Sequence, residues 1–156
     1  MVIRLAKKED INKILELLSE VLEIHATLRA DVFISGTTKY TKEEIESIMA
    51  NPSTPIFVAD EDGVKGYGFC VIKEVNNNNM HKSKTLFIDD LCVEKSSRNK
   101  GVGRKIYEYL NDYAKEINCD NITLNVWQGN EEAISFYNKL GFSVRSMIME
   151  KKVDYD

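Results

Sequence analysis

Arg98-Asn99-Lys100-Gly101-Val102-Gly103-Arg104-Lys105 lies between an apolar strand pattern ending near Val93 and an amphipathic helix pattern opening near Gly101. Two glycines at a helix entrance let a ligand approach the backbone closely. The free N–H groups there, with about half a positive charge from the helix dipole, make the entrance an anion site. Lys95, Arg98, Lys100, Arg104 and Lys105 crowd the stretch against one acid, Glu94. The chain as a whole is acidic, with 21 Lys and Arg against 25 Asp and Glu and a net charge of −4. That local reversal of sign favours a phosphorylated ligand. A dinucleotide fingerprint would need a third glycine where Ile106 stands, and a P-loop would need Gly-Lys-Ser or Gly-Lys-Thr; both are missing. By itself the glycine pattern fits equally well a plain helix start with a solvated basic face.

Working outward, Thr85 to Val93 is a strong strand, preceded by a hairpin of Pro55–Ala59 and Val64–Val75 around the turn Asp60-Glu61-Asp62-Gly63. Asn76 to Asn79 reads as a loop. Val2–Leu5 is a short strand, and Ile11, Ile14, Leu15, Leu18, Val21 and Leu22 recur at the spacing of a helix of about five turns. Thr41 and Glu44 form a capping box that opens a second helix through Met49, stopped by Pro52 and Pro55. Downstream, Val102, Ile106, Leu110, Tyr113 and Ile117 mark a third helix. Asn121–Trp127 alternates like a strand, Glu131–Leu140 is a short helix closed by Gly141, and Ser146–Val153 is a last strand. The order predicts one α/β domain over residues 1–156, a mixed sheet of about six to seven strands flanked by about four helices.

Composition narrows the function classes. A chain of 156 residues suits one domain that buries roughly 70% of its unfolded surface. At 43% hydrophobic and 29% charged it is neither disordered nor fibrous. No run approaches the ~18 apolar residues of a membrane span, and the first residues lead straight into charge, so the expectation is a cytoplasmic protein without membrane attachment. A pI near 5.3 argues against nucleic acid as a partner. Cys70, Cys92 and Cys119 are odd in number and widely spaced, which reads as reduced thiols; with only His25 and His81, no metal site is expected.

A second motif, Asn130-Glu131-Glu132-Ala133-Ile134-Ser135-Phe136-Tyr137-Asn138-Lys139-Leu140-Gly141-Phe142, follows the strand that ends at Trp127. Together with Arg98-x-x-Gly101-x-Gly103 it resembles the GNAT superfamily of acetyl-CoA-dependent N-acetyltransferases, over about Asp89 to Phe142. The resemblance implies an acetyl transfer from acetyl-CoA to a primary amine by direct attack, through a tetrahedral intermediate. The acceptor would be a small molecule, such as a polyamine or aminoglycoside-like compound, or a peptide amine. It implies that Leu91, Cys92 and Val93 lend backbone groups to the pantetheine arm. Arg98, Asn99, Lys100, Gly101, Val102, Gly103 and Arg104 would surround the pyrophosphate, and Asn130 would also touch the cofactor. Tyr137 matches the position of a general acid. A noncatalytic acyl-CoA-binding sensor is the alternative, and a homodimer is left open.

Tyr137 suits that role chemically. A free thiol has a pKa near ~8.5 and Tyr near ~10, so a phenol can hold its proton and deliver it as sulfur leaves. Its other reading is a core tyrosine, since Ala133, Phe136, Tyr137 and Leu140 form one apolar stripe. For the base, Asp89 and Asp90 interrupt an apolar strand. Strict alternation lets only one of them face a given pocket. Asp89 matches the position where polyamine acetyltransferases of the family carry Glu, and its shorter side chain favours a water relay. A carboxylate satisfied by backbone N–H groups at a sheet distortion is the competing reading. The resemblance implies an acceptor pocket lined by the first two helices and the loop between them, here the region from Glu20 to Tyr40, which also holds Glu23, His25, Arg29, Asp31 and Phe33. Its acids and aromatics suit a cationic amine, and a solvated helix face accounts for the acids equally well.

Overall fold

Arg4 ties the first strand into the protein: its guanidinium spans Asp10 at 2.7 Å and Asp60 at 3.0 Å. The computed structural model describes residues 1–155. That first strand, β1, is Val2–Leu5, and a 3₁₀ turn, Lys8–Asp10, leads into α1 (Ile11–Leu28). The expected capping box opens α2 (Lys42–Ala50). The Glu44 N–H donates to Thr41 Oγ1 at 3.2 Å, and the Thr41 N–H donates to Glu44 Oε1 at 3.1 Å. Then follow β2 (Ile56–Asp60), β3 (Val64–Val75), β4 (Ser83–Val93), α3 (Val102–Glu116), β5 (Asn121–Leu124) and α4 (Glu131–Lys139).

The strands lie in the order β1-β2-β3-β4-β5. The first four pair antiparallel; β5 joins β4 in parallel, with α3 as the crossover between them. Because strand side chains alternate, each face of the sheet has its own core. On one face Ile14, Leu17 and Leu18 of α1 and Ile45 of α2 pack on Val58, Tyr67 and Phe69. On the other, Ile106 and Leu110 of α3 pack on Phe57, Cys70, Leu86 and Ile88. The cysteines are free thiols: Cys70 and Cys92 are buried on opposite faces, and Cys119 is half-buried. No helix among the described residues is long and apolar enough to cross a membrane.

The four helices stand where the periodicity placed them, but among the described residues the sheet has five strands rather than six or seven. The alternating stretch from Asn121 is a strand only to Leu124, where β4 stops pairing with it. Residues 146–153 form no strand. Alternation makes a segment fit for a sheet, but a strand needs a neighbour, and residues 143–155 make no backbone hydrogen bond among the described residues.

Candidate active site

The site begins where the sheet comes apart. β5 pairs only with Thr85–Ile88 of β4, through Asn121–Leu124. β4 continues to Val93, still paired on its other side with β3 through Gly66. From Asp89 to Val93 one edge of β4 is therefore unpaired by any strand. Leu91, Cys92 and Val93 lie on this open edge, as the resemblance requires of residues that lend backbone groups. The Cys92 side chain turns away from the opening, under α1, where burial pushes its thiol up to about 12. The Val93 carbonyl accepts a hydrogen bond from Arg98 Nε at 3.1 Å, which fastens the following loop to the strand end.

The loop is shaped to expose amides. Glu94, the only acid in the basic cluster, is occupied: Lys13 pairs with it at 2.9 Å and Lys65 at 3.6 Å, while Ser96 and Ser97 donate to it. The Lys13 ammonium holds its carboxyl down at about 2. The remaining cations keep their local excess. Asn99 (φ 62°) and Gly101 (φ 79°) are both left-handed, and they turn the chain so that α3 starts abruptly. The first helical bond runs from the Lys105 N–H to the Gly101 carbonyl at 3.1 Å, and no side chain caps the helix. The amides of Val102, Gly103 and Arg104 thus emerge together beside the open edge of β4. Uncapped amides, surrounding cations and a free strand edge fit a long ligand with a phosphorylated end and an amide-bearing arm.

The two glycines do different work. A Cβ on Gly101 would meet nothing within 4 Å, so its requirement is conformational. A Cβ on Gly103 would stand 3.1 Å from the Phe136 ring, so this glycine lets α4 close on α3. The two sequence motifs therefore touch each other through Gly103 and Phe136. At the start of α4, Asn130 Oδ1 accepts the Ala133 N–H at 3.3 Å; its amide nitrogen is left for a ligand. Tyr137 is half-buried, packed edge-to-face on Phe142 with ring centroids 5.5 Å apart. Its hydroxyl makes no hydrogen bond among the described residues. Burial raises its pKa, and the Asp90 charge adds to the effect.

Asp89 and Asp90 correct the sequence expectation. Strict alternation would part them, but a β-bulge breaks the register here: Phe69 pairs with Asp90, and Cys70 pairs with Ile88. Asp89 is the extra residue, and both carboxylates reach the same aromatic cluster on the α1–α2 side. Tyr40 donates to Asp89 Oδ2 at 2.5 Å, and Lys39 pairs with Asp89 Oδ1 at 3.1 Å. Tyr67 donates to Asp90 Oδ2 at 2.8 Å. The Tyr40 and Tyr67 rings both rest on Phe69, at 5.6 and 5.1 Å. Burial pushes the Asp90 carboxyl up to about 6, with the Tyr67 bond and Lys39 opposing the shift.

Next to these groups lies the expected acceptor region. His25, Phe33 and Trp127 form a ring cluster with centroids 5.1 and 5.4 Å apart. His25 is held below its ordinary pKa by burial and by the Lys39 charge. Of the expected carboxylates, Glu23 binds Ser35 and the Gly36 N–H, and Asp31 binds Arg29. Glu20 is different. Its Oε2 is buried with no partner among the described residues, and its charge reaches Cys92. The sequence does not single out Tyr67 or Lys39, and Trp127 enters it only as the end of a strand. Nothing in the chain order links Tyr67 to Asp90; only the β3–β4 register does.

A model of the Acetyltransferase (GNAT) family matches residues 3–142. Thialysine N-epsilon-acetyltransferase from Bos taurus is 27% identical over 151 residues, which cover 90% of this chain and 83% of the relative. Peptidyl-lysine N-acetyltransferase YjaB from Escherichia coli (strain K12) is 30% identical over 105 residues, 66% of this chain and 60% of the relative. A crystal structure of a mutant BH1408 protein from Bacillus halodurans superposes with a TM-score of 0.94 at 28% identity, covering 98% of this chain and 99% of that one. Matching nearly end to end, with both motifs in contact around an opened sheet, the chain belongs to the GNAT family of acetyltransferases.

Proposed function

We propose that this acetyltransferase moves an acetyl group from acetyl-CoA to a primary amine at the end of a flexible, cationic acceptor. Acetyl-CoA supplies the thioester. The uncapped amides of Val102, Gly103 and Arg104 hold its pyrophosphate, with Arg98, Asn99, Lys100 and Gly101 shaping the loop. The free edge of Leu91, Cys92 and Val93 holds the amide-bearing arm, and Asn130 offers its amide nitrogen. Tyr137 keeps its proton until sulfur leaves.

The amine must lose a proton before it attacks. Asp89, expected as the base, is engaged by Lys39 and Tyr40 and serves to orient the pair; Asp90, with a carboxyl near 6, is the better-poised proton acceptor, through water. The observation that carries this reading is the β-bulge that gathers Asp89 and Asp90 where β4 loses its β5 partner, with the Tyr137 hydroxyl unpartnered among the described residues. The acceptor's cationic character rests on the orphan Glu20 oxygen and the His25–Phe33–Trp127 rings. It agrees with the lysine-like amines named for two relatives.

A coenzyme A release assay over thialysine, lysine, lysyl peptides, polyamines and aminoglycosides tests the proposal. Turnover is expected with primary amines on cationic alkyl chains. Acetyl-CoA binding without thiol release on any of these amines refutes it and leaves an acyl-CoA sensor.

A further inference from the structure

Lys39 brings a primary amine of the chain's own to the bulge in β4. Its Nζ lies 3.1 Å from Asp89 Oδ1, 3.2 Å from the Asp89 backbone carbonyl and 5.5 Å from the centre of the Tyr40 ring. Its charge reaches both Asp90 and His25. No other cation among the described residues pairs with either carboxylate. The loop that carries Lys39 is fastened on both sides of it. Glu23 of α1 accepts from Ser35 Oγ and from the Gly36 N–H, each at 2.7 Å. Beyond Lys39, Tyr40 donates to Asp89 and Thr41 caps α2. Thr38 Oγ1 donates to the Tyr40 carbonyl at 2.8 Å, a turn that spans Lys39. The backbone is thus held at the site, while the Lys39 side chain, 44% exposed, keeps a long flexible stem on which to swing. An ion pair this open is weak and releases its amine readily. The donor comes to the same place. An arm that runs from the start of α3 along Val93, Cys92 and Leu91 carries its thioester end toward Asp90 and Asp89, the next residues on the free edge of β4.

We propose that Lys39 is itself an acceptor: the enzyme transfers the acetyl group of its bound acetyl-CoA to the Lys39 Nζ of the same molecule. The inference rests on the function proposed above, since it uses the same donor and the same proton-handling groups. The Lys39 ammonium gives up one proton through water to Asp90, and the free amine attacks the thioester carbonyl. A C–N bond forms, the C–S bond breaks, and Tyr137 protonates the departing thiolate. The nitrogen then loses a second proton, which restores the phenol through water. Coenzyme A, one Nε-acetyl-lysine and one released proton are the products. The modification removes the Lys39 charge and with it the ion pair on Asp89. An incoming cationic amine then no longer competes with Lys39 for that carboxylate.

Incubation of the native protein with acetyl-CoA and no added amine, followed by peptide mass spectrometry, tests the proposal. Acetylation is expected at Lys39 at least about tenfold faster than at Lys152, because proximity to the donor outweighs exposure. Lys152 is the more open of the two, at 81%. The rate at Lys39 should not depend on protein concentration, as a reaction within one molecule requires. Lys39→Arg keeps a cation beside Asp89 and should abolish the single equivalent of coenzyme A released without amine. Lys39 left unmodified, or modified no faster than Lys152, overturns the proposal. So does a rate that rises in proportion to protein concentration. If added amines are acetylated while Lys39 is not, this inference falls and the proposed function stands. If a protein that binds acetyl-CoA acetylates neither, both fall. Should Lys39→Arg not fold, the labelling pattern of the native protein decides alone.

Discussion

Tyr137 and Asp90 are the two groups proposed for opposite proton tasks, and the environment of each suits its task. The phenol is raised by burial and by the Asp90 charge, so it stays protonated through the working pH range. The carboxyl is raised to about 6 by burial, which brings a poor base into the useful range. Tyr137→Phe should lower turnover by about 10²–10⁴-fold on an accepted amine. It should leave the melting temperature nearly unchanged, because the lost hydroxyl has no hydrogen-bond partner among the described residues. Comparing kcat and thermal unfolding for the two proteins checks this. Asp90 must be ionised to accept a proton, so kcat of the native enzyme should rise through pH about 6. Asp90→Asn should lose most of its rate and that limb of the pH profile together. A retained limb would assign the titration to another group, with Asp89 the first to examine. At this scale Tyr137 stands out in the sequence only through the motif that surrounds it. The carboxylate pair was only half legible, since alternation separates neighbours unless a bulge intervenes, and no residue type in the strand announces the bulge.

At the scale of elements, the uncapped start of α3 is the central device. Most helices close their first turn with a side chain. This one opens with Asn99 and Gly101 in left-handed conformation and leaves its amides bare. Gly101→Val meets no neighbour but places a β-branched residue at φ 79°, a strain of about 1–2 kcal/mol that the loop relieves by changing shape. The rise in melting temperature on adding acetyl-CoA should shrink at least by half, while the unliganded protein still unfolds cooperatively. An unaltered shift in calorimetry would place the pyrophosphate elsewhere. The helix start was readable from two glycines among cations. What each glycine is for was not: Gly103 faces Phe136, more than thirty residues away in the chain, and only the packing of α4 on α3 brings them together.

Across the whole molecule, ion pairs bind the chain's beginning to its middle. Arg4 holds Asp10 and Asp60, and Lys13 of α1 holds Glu94 of the ligand loop. Arg4 lowers the Asp10 and Asp60 carboxyls, and Lys13 lowers Glu94 from 4.5 to about 2. A carboxyl with a lowered pKa in the folded state stabilises the fold above its unfolded pKa and loses that contribution as pH falls through the folded one. Stability to urea should therefore drop as pH goes from about 4.5 toward 2. Glu94→Gln should flatten part of the drop, because it has no proton to take up there. Denaturation curves at pH 7 and pH 3 measure the difference.

The sequence by itself determined the layered α/β class, the four helices and the glycine-marked entrance to α3. Each of these is written in local periodicity, in caps, or in a motif of adjacent residues, and local physics needs no distant partner. Tertiary structure alone decided the rest. The bulge that gathers Asp89 and Asp90, the Tyr67 and Tyr40 hydroxyls that meet them, and the opened edge of β4 all depend on register between strands far apart in sequence. The last strand shows the same division. Residues 146–153 carry the alternation of a strand, but a strand is a relation between two chains of backbone, and within this molecule the second one is missing.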